Sequence, residues 1–78
     1  MTEEQIVEVG FLGWFISKTP DGRNTIETPN GEFIIEEDFD AFWIYERSGE
    51  NEYTSVDAFS KFEDAIDSVK TWLKQTKL

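Results

Sequence analysis

Cysteine and histidine are both absent from the sequence. Without cysteine there are no disulfides and no thiolate metal sites, so packed side chains alone have to hold the fold together. A cysteine-free chain also suits a reducing compartment. Without histidine the commonest general base is gone, and with cysteine the strongest neutral-pH nucleophile and both softer metal ligands go too. Basic residues are scarce as well. Seven Lys and Arg stand against seventeen Asp and Glu, for a formal charge of −10.

Long apolar runs are lacking. The longest, Val9 to Ile16, is eight residues and contains two glycines, whereas a membrane-spanning helix needs about 20. The start, Met1-Thr2-Glu3-Glu4-Gln5, is acidic and has neither the basic segment nor the apolar core of a signal peptide. These absences predict a cytoplasmic protein that does not engage a membrane.

The acidity is unevenly placed. Residues 1–26 carry a net −2, residues 27–67 a net −11, and residues 68–78, through Lys70, Lys74 and Lys77, a net +3. The middle of the chain therefore opposes direct binding of DNA, RNA or anionic lipid, which need Lys and Arg to displace counterions. It favours a basic partner met quickly and with strong salt dependence.

Aromatic residues are plentiful: three Trp, two Tyr and seven Phe. A domain this small buries only about 60–65% of its unfolded surface, so it depends on large side chains for its core. Residues 1–78 make one domain. Two turn signals, Pro20-Asp21-Gly22 and Pro29-Asn30-Gly31, offer the positive φ of tight hairpins, and Ser48-Gly49-Glu50-Asn51 marks a third. Between them lie β-rich runs at Ile6–Ser17, Asn24–Thr28, Glu32–Glu37, Ala41–Arg47 and Glu52–Val56. They predict an antiparallel meander of four or five strands, with Gly10 and Gly13 bending the first.

The period then changes. Phe62, Ala65, Ile66, Val69, Trp72 and Leu73 recur at helical spacing, Ser60 and Glu63 fit a capping box, and acids lead while lysines follow. A helix over about residues 60–75 should lie across one sheet face. The fold class is α+β. The expected core is Trp14, Phe33, Ile35, Phe42, Ile44, Val56, Phe62, Ile66, Val69, Trp72 and Leu73.

One helix covers one face, yet the strands read as apolar on both: Phe42 and Ile44 oppose Trp43 and Tyr45. Either the sheet curls around its second face or that face meets another chain.

The densest acidic run is Glu36-Glu37-Asp38-Phe39-Asp40. It does not match an EF-hand loop, and no metal or cofactor is expected. Carboxylates two apart on a strand project together about 6.8 Å apart, roughly twice the axial phosphate repeat of a DNA strand. Glu36, Asp38 and Asp40 have that spacing if their strand persists, and Glu50 with Glu52 likewise. The expected function is that of a non-catalytic acidic binding protein. Its leading form is a nucleic-acid mimic that inhibits a basic nucleic-acid enzyme, in the manner of phage or mobile-element counter-defence. The alternative is a protein-interaction or structural module, homodimeric through an aromatic sheet face. Partner-binding residues are expected among Glu36, Glu37, Asp38, Asp40, Glu46, Glu50, Glu52, Trp43 and Tyr45.

Overall fold

A computed structural model describes residues 1–76, and Lys77 of the basic tail lies outside the described residues. The elements run α1 (Glu3–Leu12), β1 (Phe15–Lys18), β2 (Asn24–Glu27), β3 (Phe33–Glu37), β4 (Phe42–Gly49), β5 (Glu52–Phe59) and α2 (Phe62–Thr76). The sheet is an antiparallel meander in the order β1-β2-β3-β4-β5. The α+β reading therefore holds, with a five-stranded sheet and a C-terminal helix. An unforeseen N-terminal helix completes it.

That helix corrects the reading of Ile6–Ser17 as one long strand. Thr2 caps it: its hydroxyl accepts from the Gln5 amide while the Gln5 side chain accepts from the Thr2 amide. Two orphan donors of the first turn are thereby satisfied. Gly13 ends it with φ 77°, donating to the carbonyls of Gly10 and Val9, a left-handed cap that a residue with a Cβ adopts only at a cost. The strand proper is the four residues that follow. The hairpins fall where the turn signals stood, with positive φ at Gly22, Gly31 and Asn51. Thr28, buried at the β2–β3 turn, accepts from the Phe33 amide at 3.2 Å.

Register decides the faces. Ile26 pairs with Ile35, Ile35 with Ile44, Phe33 with Glu46, and Glu37 with Phe42, so these side chains share one side of the sheet. On that side α2 lays down Phe62, Ala65, Ile66 and Val69, all buried, and Phe62 meets Phe42 edge-on at 5.9 Å between ring centroids. α1 joins the same cluster through Val9, with Met1 and Leu12 packed against it. Both helices therefore cover one face. The helix start at Phe62 lies inside the expected boundary, and the capping box of the structure is at Thr2 and Gln5 rather than Ser60 and Glu63.

Most of the expected core is buried or packed against it. Val56 is not: it is 42% exposed. Tyr45 pairs with Ser55 and Ile44 with Asp57, so Val56 is the extra residue of a bulge on the edge strand. Val9, Ile26 and Ala65 complete the interior instead.

Candidate interaction surface

The face without helices is ordered by the same register. One row crosses all five strands as Phe15, Glu27, Ile34, Tyr45 and Ser55. The next runs Ser17, Thr25, Glu36, Trp43 and Ala58, and beyond Tyr45 stand Arg47 and Tyr53. With strands about 4.8 Å apart, each full row spans about 20 Å. Apolar and aromatic groups occupy its middle. Trp43 remains 39% exposed, and Ile34 and Tyr45 are half-buried by their neighbours alone. The second face is thus open, which answers the conflict in the sequence: the sheet does not enclose it.

Local contacts hold this face in shape. The Ser17 and Thr25 hydroxyls are 2.9 Å apart, and Tyr53 donates to the Gly31 carbonyl at 3.2 Å. Gly31 sits close beneath Glu27, Tyr53 and Arg47, where an added Cβ would stand 3.4 Å from Glu27 Oε2. The Thr19 hydroxyl donates a hydrogen bond to the Asp21 carboxylate. That bond, aided by the neighbouring Arg23, holds the Asp21 carboxyl below the ordinary carboxylate range. Arg23 also reaches Glu36 at 3.3 Å and Asp38 at 3.9 Å. Desolvation alone would lower its pKa, but the carboxylates of Asp21, Glu36 and Asp38 outweigh it and raise it.

The nine residues singled out in the sequence do not form one site. Glu36, Trp43 and Tyr45 share the helix-free face. Asp38 and Asp40 lie in the exposed β3–β4 turn, around Phe39, and Glu50 and Glu52 lie at the β4–β5 hairpin on the opposite end of β4. Glu46 points to the helix side, at a cleft of about 200 Å³ with Phe33, Val56, Trp72 and Gln75. Strand β3 ends at Glu37, so the two-residue spacing does not continue to Asp38 and Asp40. A turn also separates Glu50 from Glu52.

Glu37 has an internal task. Its carboxylate accepts from the Met1 amino group at 3.0–3.1 Å and from the Asn24 amide at 2.7 Å, linking the start of α1 to the sheet. Glu37→Gln should lower stability by about 1 kcal/mol, a fall of roughly 5 °C in melting temperature for a domain of this size. A thermal melt followed by circular dichroism measures it. An unchanged midpoint would mean that the clamp contributes nothing in solution.

Phe15, Ile34 and Tyr53 were missed as members of the open face. Alternation within each strand was the available signal, but only the pairing between strands shows which alternate set joins which. Among the described residues no three carboxylates gather around a common metal-sized site, and every buried side-chain polar atom has a hydrogen-bond partner. No described helix is long and apolar enough to cross a membrane. Comparison with protein-family models, curated proteins and solved structures finds no match.

Proposed function

We propose that this protein is a non-catalytic binding module whose helix-free sheet face engages a basic protein partner. The observation that carries this reading is the placement of both helices on one side, which leaves Ile34, Trp43 and Tyr45 as an accessible strip crossed by Glu27 and Glu36. Aromatic groups at the centre and charge around them are the usual anatomy of a contact patch. The formal charge of −10 selects the sign of the partner and speeds the encounter.

Inhibition of a nucleic-acid enzyme is a special case of this function, supported by charge alone. It does not rest on a phosphate-like array, because the regular spacing stops at Glu37. The experiment is affinity capture on the immobilised protein, washed at about 0.05 M and then about 0.5 M salt, between which the screening length shrinks from roughly 14 Å to 4 Å. The captured partner should be a basic protein whose binding weakens across that step. Displacement of the partner by added DNA would identify the special case. A partner that is acidic, or held equally at both salts, would contradict the charge component.

A further inference from the structure

A cleft on the helix side of the sheet is left open where the last turns of α2 pass β4 and β5. Phe33, only 2% exposed, is its deepest residue, and its ring meets that of Trp72 at 5.7 Å between centroids, tilted by 32°. Val56, Gln75 and Glu46 are exposed and form the mouth. Val56 is there because of the bulge: as the extra residue of β5 it has no partner on β4. Glu46 is there by register, paired with Phe33 on β3 and Thr54 on β5.

Of the residues lining the cleft only Glu46 is charged. Among the described residues its carboxylate has neither an ion pair nor a hydrogen bond. Lys74, in the last turn of α2, is exposed and does not line the cleft.

These features select a ligand by elimination. An anion is repelled by Glu46. A bare divalent metal ion needs several oxygen ligands, and the cleft offers one carboxylate. A neutral apolar group would cover that carboxylate from water without pairing it, at a cost. A cation on a short apolar stem satisfies both the apolar lining and the charge. The volume, about 200 Å³, is below the roughly 300–1,000 Å³ of sites that enclose drug-sized molecules. It suits a stem of about four methylenes, the length of a lysine side chain.

We propose that this cleft binds an alkylammonium group, its stem against Phe33, Trp72 and Val56 and its ammonium paired with Glu46 at the mouth. Free amines and the lysine side chains of proteins both carry such a group, and the test separates them. The inference is independent of the binding role of the helix-free face, because the cleft lies on the other side of the sheet.

The experiment is a titration of the full chain followed by NMR at about 0.05 M salt. The ligands are butylammonium for a free amine, Nα-acetyl-lysine N-methylamide for a lysine within a chain, 1-butanol as a neutral analogue and butyrate as an anion. Butylammonium should saturate the signals of the Trp72 indole and the Gln75 side-chain amide with a Kd of about 1–10 mM. It should bind about fivefold more tightly than 1-butanol, and butyrate should not bind. A tighter Kd for the lysine derivative assigns the site to a protein's lysine, and a tighter Kd for butylammonium assigns it to a free amine. Glu46→Gln should erase the fivefold advantage over 1-butanol with an unchanged circular dichroism melt, since Glu46 is exposed. About 0.5 M salt should reduce the advantage in the wild type to about twofold. Shifts that spread over the acidic surface without saturating overturn the proposal. So does 1-butanol binding as tightly as butylammonium, or an advantage that survives both Glu46→Gln and high salt.

Discussion

Val69→Asp unfolds the domain. Val69 is fully buried in α2 against the sheet, within the cluster that includes Ile66, Phe62 and Ile44. The substitution removes about 1.5–3 kcal/mol of apolar burial and places a carboxylate among buried apolar side chains. The combined destabilisation is about 5 kcal/mol. A domain of this size has a total stability of about 4–12 kcal/mol, and with no disulfide in the chain there is little reserve. Ile66→Asp should act in the same way, being equally buried one turn earlier. Lys70→Ala, on the exposed side of the same helix, should change stability by less than about 0.5 kcal/mol. Circular dichroism melts of the three variants check this. A native-like melt for Val69→Asp would mean that the packed face of α2 has been wrongly identified.

The second large effect is on binding. Replacing Trp43 and Tyr45 together by alanine should weaken partner binding by at least about a hundredfold, or roughly 3 kcal/mol, the scale reached when central aromatic residues of an interface are truncated. The two side chains lie on neighbouring rows of the open face, two residues apart on β4, with Ile34 and Glu36 opposite them on β3. Their removal should cost the fold only about 1–2 kcal/mol, because neither is fully buried and the core lies on the other side. Fold and binding are therefore separable in this variant. They are not separable at Phe33 or Ile44, whose loss would open cavities under the helices. Glu36→Gln should have a smaller effect, concentrated in the association rate, because Arg23 already holds part of the local charge.

The residues that could be read in the sequence share a physical trait: each acts over a short stretch of chain. Asp21-Gly22 and Asn30-Gly31 specify their turns locally, and both hairpins lie where they indicate. The stripe of α2 was legible because polar residues separate its apolar ones. α1 was not, for the opposite reason. With apolar residues on its outward side as well as its inward side, Ile6 to Leu12 shows no clear helical period. Its true signals were the ends, Thr2 with Gln5 and Gly13. Val56 was misassigned because a bulge shifts register without leaving a mark in the residues themselves.

The acids illustrate the same limit on a larger scale. Glu36 and Glu37 are adjacent in the chain, yet one faces the open surface and the other clasps the N-terminus beneath α1. A run of charge therefore does not amount to a charged surface until the strand and its partners are known. Glu46 and Tyr45 are divided across the sheet for the same reason. The excess of apolar residues on the strands left two outcomes, a sheet curled around its second face or a face left open. The membership of the open face needed the register.

The most direct test of the binding face is parallel capture with the wild-type protein and the Trp43→Ala, Tyr45→Ala double variant, with melts confirming that both are folded. Bound proteins are quantified at low and high salt. The account predicts a basic protein that is retained by the wild type, released by salt, and depleted about a hundredfold on the variant. Equal recovery of that protein on both would contradict it, and would move the site away from the helix-free face to the acidic turns or to α1.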